Sequence, residues 1–340
     1  MARRRLEGPR LRCPYGARRK PKGHLKAARA GRLTVHGHGT YQTKAGSVGR
    51  WKCLICGGTF THKTGTARAY SRQTLEEQET MLDQHVKGSP IRTMAREQGV
   101  NVRTVERRIH KAADHMDRVT NQMLKERRGR CLVLEVDEFQ TPVSGRWHWV
   151  WLGLHAETRL LAPPHISTGR GKREAKLFLR KVRSGLEGDP LLLESDGHRS
   201  MVVARKAWMP SSVHAQIIKK RRRGRVVKVI RRVATGQPME MVEAIVGLLG
   251  LGRKVSINHV ERLNLTIRWG SKRLMKGSIA KFRHVGRLRS FLVLFLAYYN
   301  YIRPHLGLQK LWGGSITPAM AAGLTAKPWT WRDLILMQAP

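Results

Sequence analysis

Two stretches near the middle of the chain show the apolar patterns of buried strands. Residues 131–136 are apolar apart from one glutamate, and the run ends on Asp137. Residues 146–155, RWHWVWLGLH, alternate strictly, with three tryptophans on one face and aliphatic side chains on the other. Both patterns predict strands of a sheet that is covered on both faces. Tryptophans at this spacing also suit a stacking platform for nucleobases, which is the alternative to core packing.

The following segments predict the rest of a mixed sheet. Residues 159–167 predict a third strand, residues 172–184 an amphipathic helix, and residues 190–196 a fourth strand that ends on Asp196. Three strands, a helix and a further strand are typical of a mixed α/β sheet. Residues 211–236 predict a hairpin whose turn is a cluster of cations.

Residues 74–114 change to a helical period. Apolar positions mark three short helices, which are separated by Gly88-Ser89-Pro90 and by Gly99-Val100-Asn101. This pattern predicts a helix-turn-helix, and the residues after it, to 130, predict a polar helical linker. On the third helix, four side chains face away from the apolar positions, where a recognition helix contacts DNA: Arg103, Thr104, Arg107 and Arg108. The alternative is a small helical bundle with a solvated basic face.

Composition strengthens the expectation of a nucleic-acid partner. The chain of 340 residues has 66 Lys+Arg against 23 Asp+Glu, a formal net charge of +43, while the charged fraction is an ordinary 26%. Bases continue from Arg3 to Arg332, so a basic tail on a neutral domain does not explain the charge. Because neutralising phosphates releases condensed counterions, a folded chain of this charge is typical of nucleic-acid binding.

The first residues and the apolar runs of the chain bear on its cellular location. The first ten residues lack the apolar run of a signal peptide, and the best apolar run, residues 291–299, is too short to span a bilayer. Four cysteines, three of them before residue 57, do not make a disulfide framework. We therefore expect a soluble, intracellular protein with no membrane partner.

The cysteines predict a metal site of their own. Residues 53–60, CLICGGTF, place Cys53 and Cys56 three positions apart on a glycine-containing turn, as in the knuckle of a zinc ribbon. Cys13 is a third candidate ligand, but no second cysteine follows it closely. The fourth ligand would have to be a histidine: His24, His36 or His38. The alternative is a ribbon-shaped hairpin with inert thiols.

Three carboxylates lie where a divalent ion could use them. Asp137 and Asp196 each end a buried strand, and Glu261 lies in the helical segment 258–276. If the two strands are neighbours, their carboxylates emerge side by side and need a cation between them or a raised pKa. Taken singly, Asp137 could be the polar cap of a strand and Glu261 a first-turn acid favoured by the helix dipole.

Six motifs in this order resemble those of the DDE transposases of prokaryotic insertion sequences, and the resemblance extends over the chain from about residue 13 to 335. They are CxxCGxTF at 53–60 with TGT at 64–66, VDEF at 136–139, SDG at 195–197, NHVERLNLTIR at 258–268, YNYIRPH at 299–305 and TPAM at 317–320. The chain departs from the family in its incomplete first knuckle. It also departs in the 65 positions between Asp196 and Glu261, which exceed the spacing of many relatives. The hairpin is therefore expected to lie outside the catalytic sheet, as a DNA contact or a surface flap.

The resemblance implies an α/β fold. It has a ribonuclease-H-like mixed-sheet catalytic core preceded by a small zinc-ribbon-like module and an all-α helix-turn-helix domain. The expected segments are a basic arm and zinc-ribbon-like module at 1–68, the helix-turn-helix at 69–115, a linker at 116–130, the catalytic domain at 131–310 with the inserted basic hairpin at 211–236, and a C-terminal tail at 311–340.

The resemblance also implies a chemistry and a partner. Asp137, Asp196 and Glu261 would be catalytic and hold two Mg2+ (or Mn2+) ions, and the cysteines would hold one structural Zn2+. The partner would be double-stranded DNA, both element ends and target, bound by a homo-oligomer in the cytoplasm, at the nucleoid of a prokaryote. Arg268 and Lys272, along the helix face of Glu261, would add DNA contacts.

Three functions fit these expectations. The first is a DNA transposase that cuts element ends and joins the freed 3′-hydroxyls to target DNA. The second is a catalytically silent, domesticated DNA-binding regulator. The third is a metal-dependent nuclease without strand transfer.

Overall fold

The structure, a computed structural model, describes residues 13–15, 19–30, 34–43, 46–69, 71, 73–127, 129–275 and 277–339. The first part of the expected basic arm, residues 1–12, lies outside the described residues. The chain divides into two compact units, residues 1–80 with 332–340 and residues 81–331. Among the described residues, none of the helices has the length and apolarity needed to cross a membrane.

The first unit contains a small antiparallel sheet of three strands in the order β1-β2-β3. Its elements are α1 (Pro21–Arg29), β1 (Val35–Thr43), β2 (Gly46–Cys53), β3 (Thr59–Phe60) and the beginning of α2 (Leu75–Val86). A tight turn joins β2 to β3, in which the Gly57 N–H donates to the carbonyl of Cys53 at 2.9 Å. Gly57 has φ +70°, a left-handed conformation that glycine adopts at little cost. This turn carries Cys56 back towards Cys53.

The second unit holds the end of α2 and the larger sheet. Its further elements are α3 (Ile91–Glu97), α4 (Val102–Glu126), β4 (Val133–Val143), β5 (Arg146–His155), β6 (His165–Ser167), α5 (Lys172–Arg183), β7 (Leu192–Asp196), α6 (Arg199–Trp208), β8 (Val213–Arg222), β9 (Arg225–Val233), α7 (Met239–Leu248), α8 (Asn258–Trp269), α9 (Val285–Ala297), α10 (Leu306–Trp312) and α11 (Pro318–Ala321). A 3-10 turn (Lys272–Leu274) follows α8 and a π-helical turn (Tyr298–Ile302) follows α9. The last helix, α12 (Trp331–Leu336), ends in the first unit.

The six strands form one mixed sheet in the order β6-β5-β4-β7-β8-β9. β4 pairs antiparallel with β5 and parallel with β7, and β7 pairs parallel with β8. Helices lie between the parallel strands in sequence, because a parallel connection needs a crossover. The prediction of a mixed α/β sheet is confirmed.

The predicted third strand is shorter than expected. The sequence predicts it over 159–167, whereas β6 begins at His165. Pro163 and Pro164 precede it, and a proline cannot donate a backbone hydrogen bond to a neighbouring strand.

The hairpin at 211–236 does not lie outside the sheet, and that expectation was wrong. Residues 213–217 of β8 pair with residues 192–196 of β7, and β9 forms the sheet edge. The first half of β8 is buried, so it serves as a core strand, while the cationic half after Ile218 and the facing part of β9 are exposed. The cations near the turn make the whole segment look like an exposed hairpin in the sequence, although the first part of β8 is apolar and buried.

Both faces of the sheet are covered. Leu134, Val136 and Trp151 pack with residues of α5 and α6 in one apolar cluster. On the other face, alternate residues such as Val133 and Leu152 pack with α8 and α9. The odd-numbered side chains of β4 therefore point to α8, and the even-numbered ones point to α5.

The segment expected to be a polar linker is largely part of α4. This helix runs for 25 residues to Glu126 and buries Met116, Val119 and Leu124. It is held to α9 by polar contacts: His110 to Ser290 at 2.6 Å, and Arg289 to Asp114 and Asp117 at 2.7 Å each. The helix is amphipathic, and its charged outer face hides its buried stripe in the sequence.

Candidate functional site

Asp196 is the last residue of β7, whereas Asp137 lies within β4, which continues to Val143, so the prediction that Asp137 ends its strand was wrong. Glu135 of β4 lies opposite Glu194 of β7, and both aspartates lie two positions further along their strands. Because the strands run in the same direction, the two side chains lie side by side at the edge of the sheet where β7 ends. The backbone N–H of His198 donates to Asp196 Oδ1 at 2.9 Å and orients that carboxylate.

Helix α8 is anchored over β4 and carries Glu261. The Glu135 carboxylate accepts a hydrogen bond from the Val260 N–H at 2.9 Å and lies 2.5 Å from His259 Nδ1, at the beginning of the helix. A carboxylate is favoured there because the backbone N–H groups of a first helical turn lack partners. One turn later, Asn264 Nδ2 donates to Asp137 Oδ2 at 2.6 Å. Glu261 lies between these two anchors.

The three carboxylates interact electrostatically. Burial raises the pKa of the Asp137 carboxyl from 3.8 to about 7, and the negative charges of Asp196 and Glu261 act in the same direction. Two or more like charges in a poorly solvated place favour the proton-bound form unless a cation compensates them. This edge of the sheet therefore attracts positive charge.

Side chains of the protein supply part of that charge. Arg170 donates to Asp196 Oδ2 at 2.5 Å and also pairs with Glu138, and its guanidinium lies 5.0 Å from the centre of the Trp149 ring. Burial raises the pKa of Glu138 to about 8, with the charge of Asp196 acting in the same direction. Lys219 of β8 pairs with Glu261. Each proposed ligand thus has its own polar partner.

Sequence reasoning missed Arg170 and gave Glu138 no role. Glu138 points to the α5 side of β4, the side opposite to Asp137, as expected from strand alternation. Its partner Arg170 comes from the loop before α5, and no local pattern distinguishes it from the other bases of the chain. The three tryptophans of β5 have different surroundings, although they share one face of the strand. Trp151 is buried, Trp149 packs near Arg170, and Trp147 is exposed.

Among the described residues, the three carboxylates do not form a closed ligand set. In the described part of the chain, two groups of three or more His, Cys, Asp or Glu residues have ligand atoms that all lie within 4.8 Å of one another. Neither group includes Asp137, Asp196 or Glu261. The three side chains nevertheless offer only oxygen, the donor that Mg2+ prefers, and the raised pKa of Asp137 marks a place that a cation would stabilise. By donor chemistry they fit such an ion.

The cysteine cluster of the first unit is a closed set. Cys13, His24, Cys53 and Cys56 each place a ligand atom within 4.8 Å of the others, and the cluster could hold a metal such as zinc. Cys13 Sγ lies 3.6 Å from Cys56 Sγ, and His24 Nε2 lies 3.2 Å from Cys53 Sγ. Tetrahedral ligands about 2.3 Å from one ion are separated by roughly 3.8 Å, so these spacings suit zinc. Of the three histidines considered from the sequence, His24 belongs to the cluster.

The fold prepares one of these thiols for a metal. Burial acts to raise the pKa of Cys53, but hydrogen bonds from the backbone N–H groups of Cys56 and Ile55 and from His24 outweigh it and lower the pKa to about 7. Zinc binds the thiolate form of cysteine. Helix α1 supplies His24, which the sequence could not single out because strands β1 and β2 lie between this helix and the knuckle.

The second group, Cys131, His155 and Glu157, is explained by packing. Both Glu157 oxygens accept backbone hydrogen bonds, from Leu132 at 2.7 Å and Val133 at 3.3 Å. Burial raises the pKa of Cys131 well above its ordinary value, which keeps the thiol neutral. We assign this group to the support of the first residues of β4.

The expected DNA-contacting residues differ in their surroundings. Arg103 and Arg107 are exposed on α4, and Thr104 is half-buried. Arg108 donates to Gln98 Oε1 at 3.0 Å, so it is held against the preceding turn. Arg268 lies over the Phe139 ring at 5.0 Å, while Lys272 is exposed.

Comparison with models of known protein families and with characterised proteins gave no match.

Proposed function

We propose that this protein is a DDE-type DNA transposase, which binds the ends of an insertion sequence, hydrolyses phosphodiester bonds and transfers the freed 3′-hydroxyls to target DNA. One observation carries the proposal. Asp137 and Asp196 lie on adjacent parallel strands, and Glu261 comes from a helix that is bonded to the strand of Asp137, in a chain of net charge +43. Scarce acids gathered at one edge of a basic protein suit metal-dependent chemistry on phosphates.

The fold supports the proposal at a second level. A central strand with an antiparallel meander on one side and parallel strands on the other is the arrangement expected of a ribonuclease-H-like core. The three-stranded sheet with its Cys and His cluster is consistent with a zinc-ribbon-like module that holds one structural Zn2+. Helices α2 to α4 would form the helix-turn-helix, with Arg103, Thr104 and Arg107 directed to DNA.

In this proposal Asp137, Asp196 and Glu261 hold two Mg2+ (or Mn2+) ions. Bound there, such ions lower the pKa of a nucleophilic oxygen and stabilise charge on the leaving oxygen. Asn264 keeps Asp137 oriented, and Arg170 keeps Asp196 oriented. Lys219 compensates the charge of Glu261.

The basic strands β8 and β9 would bring DNA to this edge. Their exposed halves carry Lys220, Arg221, Arg222, Arg225 and Lys228, and residues 211–236 contain no acid. A two-stranded ribbon fits the major groove of B-form DNA, and cations along it neutralise phosphates. The proposed partner is therefore double-stranded DNA, with a homo-oligomer pairing two element ends at the nucleoid of a prokaryotic cell.

The test compares Asp137→Asn with the wild type on intact and on pre-nicked DNA of the sequences that flank the coding region, each mixed with a target plasmid. We expect Mg2+-dependent cleavage and joining to fall by more than about a hundredfold, since several kcal/mol of charge stabilisation are lost. DNA binding in a mobility-shift assay should change little. Asp114→Asn, at an exposed aspartate on α4, is the matched control and should keep full activity.

Each other outcome has a distinct meaning. Joining by Asp137→Asn at the wild-type rate would contradict the assignment of the site. Cleavage without joining by the wild type would indicate a nuclease. Binding of the flanking sequences without either reaction would indicate a DNA-binding regulator.

A further inference from the structure

Helix α8 carries an exposed apolar strip beside Glu261. Leu263 and Ile267 point into the core, whereas Leu265 is 50% exposed and Trp269 is 73% exposed. Arg262 lies on the same exposed face, because residues three, four and seven apart share one side of a helix. We call Arg262, Leu265 and Trp269 the α8 strip.

The electrostatic surroundings of the α8 strip favour an anionic partner. After Glu261 the next acid in the sequence is Asp333, and residues 262–283 contain seven lysines and arginines. Large exposed aromatic side chains mark binding surfaces more often than scattered small apolar ones do. An indole within a positive field is the combination by which proteins bind single-stranded nucleic acid, with bases stacked on rings and phosphates held by cations.

The position of Trp269 relates it to the candidate site. It follows Glu261 by eight residues on one continuous helix, which corresponds to about 12 Å at 1.5 Å per residue. That length equals three to four stacked base steps at about 3.4 Å each. A DNA strand that enters the site at Glu261 and follows α8 therefore passes Trp269 within a few nucleotides.

We propose that Trp269 is a stacking site for an unpaired nucleobase of the DNA strand at the candidate site. The inference rests on the proposed function and extends it, because it specifies that the bound DNA is locally unpaired next to the carboxylates. In this arrangement Arg262 holds a phosphate of the same strand, and Leu265 covers the edge of the stacked base. Since every base has an aromatic face, the site tolerates different sequences.

The experiment measures the binding of two DNA duplexes that differ only in one unpaired position, where 2-aminopurine reports unstacking by its fluorescence. The wild type is compared with Trp269→Ala, Trp269→Phe and Trp312→Ala, in buffer with Ca2+ to avoid cleavage. Trp312 is the matched control, since it is 56% exposed and lies on a different helix, α10.

We expect the wild type to prefer the duplex with the unpaired base and to quench 2-aminopurine. Trp269→Ala should lose about five- to 150-fold of affinity for that duplex, the range for stacking of one base, and nothing for the fully paired one. Trp269→Phe should keep part of the preference, and Trp312→Ala all of it. All variants should melt at the wild-type temperature, because the changed rings are exposed.

Three results would overturn the inference: a wild type without preference for the unpaired duplex, a Trp269→Ala variant that keeps that preference, or one that loses only self-association. The last would make the α8 strip an interface between copies. None of these readouts requires cleavage. If one of these three results is found while Asp137→Asn is inactive, the proposed function stands and only the stacking site is refuted. If Asp137→Asn is active and Trp269→Ala loses the preference for the unpaired duplex, only the proposed function is refuted.

Discussion

The cysteine cluster of the first unit and the carboxylate cluster of the second are both candidate metal sites, yet they are built differently. Four ligand atoms of Cys13, His24, Cys53 and Cys56 lie together within 4.8 Å. The carboxylates of the second unit are each bonded to another side chain, as Glu261 is to Lys219. A thiol with the ordinary pKa near 9 is largely neutral at pH 7, and Cys53, with a pKa of about 7, carries only part of a charge, whereas a carboxylate is charged at neutral pH and requires a countercharge. Thiol ligands can therefore lie close together before the metal binds. Carboxylate ligands need the cationic side chains of the protein as countercharges until a metal ion is bound.

The largest expected effect is on zinc binding by the cysteine cluster. Cys53→Ser should remove one zinc per chain and unfold the surrounding module, because structural zinc contributes about 10 kcal/mol or more of apparent binding free energy. Zinc content by elemental analysis and protease cleavage within residues 13–60 measure the two effects.

Cys131→Ser is the control for the cysteine experiment, since Cys131 is buried in the second unit and belongs to the group that we assign to packing. It should keep the wild-type zinc content. Retention of zinc by Cys53→Ser would show that the first cluster is a set of inert thiols, and loss of zinc from Cys131→Ser would move the metal to the second unit.

The second effect concerns the cost of gathering carboxylates without a metal. The folded pKa of Asp137 is about 7, above its ordinary 3.8, so the folded state favours the proton-bound form. That contribution to stability is complete below about pH 4 and is lost as the pH rises through about 7. In EDTA, Asp137→Asn should therefore be more stable than the wild type at pH 8, by roughly 2–4 kcal/mol, and by less than about half of that at pH 5.

Urea unfolding at the two pH values measures this difference. Mg2+ should stabilise the wild type at pH 8 and have little effect on Asp137→Asn, because the ion then compensates the carboxylates. A wild type whose stability relative to Asp137→Asn is the same at pH 5 and pH 8 would contradict the burial argument. Asp114→Asn should show no such dependence, since Asp114 is exposed.

The smallest expected effect is on metal affinity at the carboxylate cluster. Lys219→Met keeps the length of the side chain and removes the charge that pairs with Glu261. Because this pair is partly exposed, it is worth at most about 1 kcal/mol, so Mn2+ should bind up to about fivefold more tightly. Electron paramagnetic resonance of free Mn2+ gives the affinity, and Lys220→Met, at the next and exposed residue, is the control. Weaker Mn2+ binding by Lys219→Met would show that Lys219 supports the ion site.

Local patterns predicted the elements whose period is visible in a short window. The run before Asp196 became β7 and residues 146–155 became β5 with the predicted bounds, whereas the run before Asp137 is only the first part of β4, which continues to Val143. Two elements were misjudged because composition masked their period. The cations of the hairpin concealed the buried beginning of β8, and the charged face of α4 concealed a stripe that includes Met116.

The candidate sites were predictable only in part. Cys53 and Cys56 are close in sequence, so their turn fixes their spacing, but His24 comes from a separate helix. Asp137 and Asp196 could be paired from the sequence because each follows an apolar run, whereas Arg170 reaches both Glu138 and Asp196 from a loop that no short-range pattern singles out.

The sequence by itself determined the charge of +43, the periods of the main strands and helices, and the identity of the few acids that follow apolar runs. These properties depend on composition and on neighbours within a few positions. The tertiary structure alone decided that β8 joins the sheet, that His24 completes the cysteine cluster, and that Arg170, Lys219 and Asn264 bind the three carboxylates. Such contacts join residues far apart in the chain, and only the folding of the strands and helices brings them within bonding distance.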